Sequence, residues 1–192
     1  MRVYGRKILE EALRNNVPIK KVFFQKMQNP GSYFLSLVEE VEKRGIKYSF
    51  ESEEKLKNLS GTKKHQGVVF DIEEYRYSSV EEILEAKTPP LIVLLDQIQD
   101  PHNLGAIVRT SVGAGANGII IPKDKSVKVT ETVVKVSVGT VFRARIAVVT
   151  NLARTIEELK EKGVWTYASD IDGTPIYEED FTFPTAFVFG NE

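Results

Sequence analysis

Residues 91–95, LIVLL, form an unbroken apolar run directly after the double proline Pro89-Pro90. A strand with apolar side chains on both faces needs cover on both, which a parallel sheet flanked by helices supplies. The prolines end any helix begun in the preceding SVEEILEA segment, because proline lacks an N–H and pushes the residue before it out of the helical region. Beyond LIVLL, helical and strand patterns alternate: a helix near 103–114, NGIIIP, a helical TETVVKVS, RIAVV, a helical NLARTIEELKEKG, VWTYAS, and finally TAFVF. Such alternation predicts an α/β fold with a mostly parallel sheet, its ligands lying beyond the carboxyl ends of the strands.

The front of the chain has a different pattern. In GRKILEEALRNN, Ile8, Leu9, Ala12 and Leu13 share one helical face. In SYFLSLVEEVEKRG, Phe34, Leu37, Val38 and Val41 do the same, with Gly45 where a left-handed cap belongs. The strand patterns PIKKVFFQ, IKYSF and the end of TKKHQGVVFDI complete a small α/β unit, with a short helix in SEEKLKNLSG. The expected organisation is a domain over 1–72, a linker over 73–90 and a second domain over 91–192. Charge follows this division. Residues 1–70 hold 14 Lys and Arg against 8 Asp and Glu, a balance of +6, whereas the rest hold 12 against 19. The front domain is thus the better candidate for touching a polyanion, although a solvated surface with an uneven charge count fits as well.

Several classes fall away on composition. The 192 residues include no cysteine, which excludes disulfides and thiolate metal sites, and the two histidines, His65 and His102, are too few for a zinc site. No metal is expected. No apolar run reaches the ~20 residues of a membrane span, and MRVYGRKILEE lacks a signal-peptide core, so a cytoplasmic location is expected.

The stretch DQIQDPHNLGAIVRT begins at the carboxyl end of the LIVLL strand. Asp100-Pro101 starts a turn, and Asn103 can cap the following helix. Leu104, Ile107, Val108 and Val112 make its apolar stripe, leaving Arg109 to face solvent or a cleft. Neither the Walker spacing nor G-x-G-x-x-G is present, so a phosphate-loop nucleotide-binding protein is disfavoured. On these residues alone Asn103 is a cap or a catalyst, and Arg109 a surface charge or an active-site cation. In GTKKHQG, residues Lys63, Lys64, His65 and Gln66 make either a polar, flexible loop that holds phosphate and pairs with bases or a plain basic turn. His102 is read as lining the motif loop.

Taken together, DQIQDPHNLGAIVRTSVGAGANGIII, KVSVGTVFRARIAVVTNL and AFVFGNE resemble, in order and spacing, the SpoU or TrmH family of RNA ribose 2'-O-methyltransferases. The resemblance runs from about residue 91 to the end. GRKILEEAL and KKHQGVV resemble the L30e-like substrate-binding domain often attached in that family. It implies a knotted parallel sheet of the SPOUT type and a homodimer that transfers methyl from S-adenosylmethionine to a ribose 2'-hydroxyl. A guanosine of 23S rRNA is favoured over transfer RNA. Residue by residue, Arg109 matches the catalytic arginine, Asn103 the asparagine that positions it and the substrate, and Glu192 a glutamate of the second motif. Gly190, Ser137 and Gly139 match positions near the cofactor, while Arg6, Lys7, Lys63, Lys64, His65 and Gln66 match the RNA-contacting part of the front domain. Whether Arg109 acts as a base or as an electrostatic stabiliser stays open.

The family pattern continues past Glu192, with a third motif that completes the cofactor pocket and threads the knot. On that basis the chain is expected to be a C-terminally incomplete form with weak or absent cofactor binding. A non-catalytic RNA- or ribosome-binding protein is the alternative for such a form.

Overall fold

A computed structural model describes residues 1–85 and 89–190. The elements run β1 (Arg2–Tyr4), α1 (Arg6–Arg14), β2 (Ile19–Gln25), α2 (Ser32–Lys43), β3 (Tyr48–Glu51), α3 (Glu53–Ser60) and β4 (Val68–Ile72). They continue with α4 (Val80–Leu84), β5 (Leu91–Leu95), α5 (Pro101–Gly113), β6 (Gly118–Pro122), α6 (Glu131–Val136) and β7 (Ile146–Val149). Last come α7 (Leu152–Glu161), β8 (Trp165–Ala168) and β9 (Thr185–Phe189). Two compact units result. The first joins Met1–Tyr75 to Val129–Phe142, and the second joins Arg76–Lys128 to Arg143–Glu192.

In the first unit the sheet order is β1-β4-β2-β3, with β1/β4 and β4/β2 antiparallel and β2/β3 parallel. The α1 stripe read from the sequence is the buried one, with Ile8, Leu9, Ala12 and Leu13 all at 3% exposure or less. Phe24 and Phe34 meet edge to face at 5.4 Å in the core, an arrangement that aligns the positive ring edge with the negative face. Gly45 takes φ +66 just after α2, as the cap requires. The strand β1 was not legible. Three residues carry too little alternation to register, and Arg2–Tyr4 becomes a strand only because β4 offers it an antiparallel edge.

The second unit is built on a five-stranded, wholly parallel sheet in the order β7-β6-β5-β9-β8. LIVLL is the central strand, and Ile92, Val93, Leu94 and Leu95 are buried, as cover on both faces demands. Residues 76–85, placed in a linker by sequence, belong to this unit. Ser78 bridges to Ala147, α4 starts in a reciprocal capping box between Ser79 and Glu82, and Ile83 lies fully buried in the sheet core. The remainder of the SVEEILEA segment reaches Ala86, outside the described residues. Gly118, the first residue of β6, makes room for that packing, because a Cβ there would stand 2.5 Å from Ile83 Cγ1.

Candidate active site

The second unit brings two distant pieces of sequence to one edge. β5 and β9 are parallel neighbours in register Leu95↔Phe189, and the Asp96 N–H donates to the Phe189 carbonyl at 2.8 Å. The loop opening the DQIQDPHN motif and the exit of β9 at Gly190 therefore lie side by side. From β5 the chain proceeds to β6 and β7 on one flank, whereas β9 and β8 occupy the other. That reversal marks a topological switch point, where open parallel sheets leave a crevice for ligands.

The motif loop is held firmly. Gln97 adopts φ +57, a left-handed conformation unusual for a residue with a side chain. Ile98 is buried, and its carbonyl accepts from the Val127 N–H at 2.9 Å and the Ser126 hydroxyl at 3.4 Å. Asp100, not Asn103, caps α5. Its carboxylate accepts from the His102 N–H at 2.8 Å, and Pro101 occupies the first turn, where its missing N–H costs nothing. The expectation for Asn103 as cap is corrected accordingly: the cap lies three residues earlier, at Asp100, and Asn103 is an exposed first-turn residue.

On α5, Leu104 and Val108 are fully buried, which turns Arg109 outward. Arg109 makes no hydrogen bond or ion pair with the described residues. At 3.6 residues per turn, Asn103 and Arg109 lie about 120° apart around α5, whereas His102 and Arg109, seven residues apart, lie within about 20° of each other. α5 itself therefore does not set Asn103 beside Arg109. It does put His102 on the arginine's face, a relation that the i, i+7 spacing already contained. Glu192 lies outside the described residues.

Beyond the carboxyl ends of β8 and β9 a cavity of about 530 Å³ opens, walled by Tyr167, Phe181, Phe187 and Phe189 and bordered by Asp170 and Glu179. Phe181 and Phe187 stand 5.0 Å apart, Tyr167 and Phe181 5.3 Å. Aromatic walls suit an adenine ring, and carboxylates at the rim suit ribose hydroxyls and a sulfonium or ammonium charge, so these residues fit S-adenosylmethionine. Sequence reasoning did not pick out this aromatic group, since residues 165–187 alternate in no regular period.

Ser137 and Gly139 belong to the first unit. Ser137 is fully buried and its hydroxyl donates to the Val134 carbonyl at 3.2 Å. Gly139, at φ +81, brings its backbone against α1, where a Cβ would stand 3.0 Å from Glu11 Cβ and 3.3 Å from Ile8 Cα. In this structure Ser137 bonds within the 129–142 segment and Gly139 serves the packing of that segment on α1.

Among the expected RNA contacts, Lys63, Lys64 and Gln66 are exposed and Arg6 is half-buried. Lys7 is paired with Glu10 at 2.9 Å and Glu11 at 3.7 Å. His65 departs from the expected solvent-facing loop. Only 2% exposed, it accepts the Gly67 N–H on Nδ1 at 3.0 Å, while Nε2 is buried without a hydrogen-bond partner. Burial lowers its pKa, opposed in part by the charge of Glu53. The imidazole is thus a neutral structural group that holds the turn before β4 rather than one offered to a ligand.

Its titration gives a test. The unfolded chain takes up a proton near pH 6.5 and the folded one only at lower pH, so His65 makes stability fall as the pH drops below about 6.5. Above that value it contributes no slope. Urea unfolding between pH 7 and 5.5 should show this loss, and His65→Asn, which keeps an acceptor near the Nδ1 position, should remove that part of it. An identical pH slope in the variant would contradict the burial of a neutral imidazole.

The family comparison agrees with the geometry. Residues 90–192 match the SpoU rRNA Methylase family and residues 2–78 match the domain described as RNA 2'-O ribose methyltransferase substrate binding. An AdoMet-bound rRNA methyltransferase from Sinorhizobium meliloti superimposes with a TM-score of 0.79 at 25% identity, over 100% of this chain and 70% of its own. YacO of Bacillus subtilis, assigned to the TrmH family of tRNA/rRNA methyltransferases, is 35% identical over 99% of this chain and 78% of its own length. The 23S rRNA (guanosine-2'-O-)-methyltransferase RlmB of Ralstonia nicotianae is 40% identical over 79% of this chain, a match spanning 62% of that enzyme. The chain belongs to the SpoU rRNA methylase family.

Proposed function

We propose that the protein is an S-adenosylmethionine-dependent methyltransferase acting on a ribose 2'-hydroxyl, with a guanosine of 23S rRNA as its substrate and a homodimer as its working form. The observation that carries this reading is the convergence of the family's motif loop and the β9 exit at the β5/β9 switch point. S-Adenosylmethionine supplies a methyl group on a sulfonium, ready for displacement by an oxygen nucleophile. The chain's own residues have two tasks. A ribose hydroxyl is a poor nucleophile until its proton leaves or its developing charge is stabilised. Arg109 presents a guanidinium that no described residue neutralises, so its cation is free to stabilise the incipient alkoxide or to clamp the adjoining phosphate bidentately. Asn103, around the helix from Arg109, is assigned a hydrogen bond to the substrate, and Glu192 the orientation of the arginine or the substrate. Gly190, lacking a side chain, lets the β9 exit approach the cofactor. The aromatic cavity beside it receives the adenosine.

The test is transfer of radiolabelled methyl groups from S-adenosylmethionine to separated RNA fractions. Label should appear in 23S rRNA, in a dinucleotide that survives alkali because the 2'-oxygen is blocked. Label confined to transfer RNA would move the substrate, and label lost on alkaline hydrolysis would refute ribose methylation.

A further inference from the structure

Three segments distant in sequence meet around Gly5 in the first unit. Gly5 precedes α1 at φ +114, and a Cβ placed on it would lie 3.4 Å from Gln66 Oε1 and 3.7 Å from Lys135 Nζ. The N-terminal turn of α1, the 63–66 turn and α6 thus converge within a few ångströms. Gln66 ties the first two together, its side-chain oxygen accepting the Arg6 N–H at 3.1 Å and its carbonyl the Arg6 Nε–H at 2.8 Å. The Arg6 guanidinium also lies over the Phe34 ring at 5.2 Å, and the Lys135 ammonium over the Tyr4 ring at 4.0 Å. Both cations are therefore held in place by rings rather than by anions.

We infer that Arg6, Lys64 and Lys135 form one binding site for a backbone phosphate of the RNA. None of the three is ion-paired among the described residues, in contrast to Lys7 with its two glutamates, and the carboxylate lining the same small pocket as Lys135, Glu131, makes no ion pair with it. α1 has no acidic residue in its first turn, and its first intrahelical bond runs from Leu9 N–H to the Gly5 carbonyl. With the Arg6 N–H given to Gln66, the Lys7 and Ile8 N–H groups of the first turn add partial positive charge to the same place. Burial first, and then the charge of Lys64, lowers the proton affinity of Lys135, the cost of holding a cation half out of water near a second one with no anion. A phosphodiester would remove that cost and satisfy the guanidinium fork. Lys135 lies within the stretch that matches the methylase family, yet it packs with the substrate-binding unit, so both parts of the chain's sequence contribute to the site.

The inference rests on the RNA reading above, and its test separates the two. Binding of a labelled 20-nucleotide RNA hairpin to the full chain is followed against salt for the unaltered protein, Lys135→Gln, Lys64→Gln, and Lys160→Gln as a control outside the cluster. Loss of one phosphate contact should reduce the slope of log K against log salt by about 0.7 to 0.9, equivalent to about 5- to 8-fold weaker binding at 0.1 M salt. Both cluster variants should show this, and the control should not. Lys64 is exposed and supports no packing, so Lys64→Gln keeps the test decisive if Lys135→Gln disturbs the fold. Unchanged slopes in Lys64→Gln and in a folded Lys135→Gln, or no salt-dependent RNA binding by the unaltered protein, overturn the site. Reduced slopes without any methyl transfer would uphold the site and refute the enzymatic reading. Methyl transfer with unchanged slopes would do the reverse.

Discussion

Arg109→Ala is expected to slow methyl transfer by about 10²- to 10³-fold, the usual consequence of removing one preorganised group that stabilises developing negative charge. Stability should move by less than about 0.5 kcal/mol, since Arg109 is exposed and engages no described residue. Single-turnover rates with saturating S-adenosylmethionine and RNA, set beside urea unfolding of the same variant, separate the two effects. Arg109→Lys tells more about the role. A lysine keeps a positive charge near a phosphate but cannot make a two-pronged contact, so partial recovery points to charge and no recovery to bidentate geometry. An unaltered rate in Arg109→Ala would remove Arg109 from the reaction altogether.

The largest structural effects are expected where Gly118 meets Ile83. Adding one methyl group places it 2.5 Å from Cγ1, 2.6 Å from Cδ1 and 2.8 Å from Cγ2 of Ile83, a fully buried side chain in a close-packed core. Gly118→Ala should therefore cost about 1–3 kcal/mol, even though alanine is the better strand residue. Ile83→Ala alone should cost about 2–5 kcal/mol through the cavity it leaves. Because all three crowding atoms belong to Ile83, the double variant should lose at least about 1 kcal/mol less than the two losses combined. Additive losses measured by denaturant unfolding would mean that the strand shifts away instead of pressing on Ile83.

These expectations depend on features that the sequence revealed unevenly. LIVLL stated its own burial, and the stripes of α1 and α5 fixed which faces turn inward, because one strong apolar period per element is a local signal. The Asp100-Pro101 pair carried the correct helix start, proline being suited to the first turn, yet Asn103 drew the cap assignment as a favoured residue type near the expected start. The lysines and glutamine around His65 predict a solvent-facing loop. The burial of the histidine follows from β4 and the Gly67 turn, which are tertiary facts. Nothing in the sequence joins Lys135 to Arg6 and Lys64, since that grouping spans about 130 residues and arises only where α6 meets β1 and α1. The place of TAFVF beside LIVLL, rather than at the sheet edge, likewise required the observed pairing.

That pairing has a consequence for the order in which the chain can acquire its structure. Leu91 finds its partner Thr185 only 94 residues later. At about 5–20 residues per second, one flank of the most apolar strand in the protein waits roughly 5–20 s during synthesis for its neighbour to emerge from the ribosome. Over that interval β6 can pair with the other flank, but the flank reserved for β9 stays an open, hydrogen-bonding apolar edge. Nascent chains of this protein should accordingly depend most on chaperone protection between the emergence of β5 and that of β9, and long-range closure of this kind should make the second unit the slower of the two to fold.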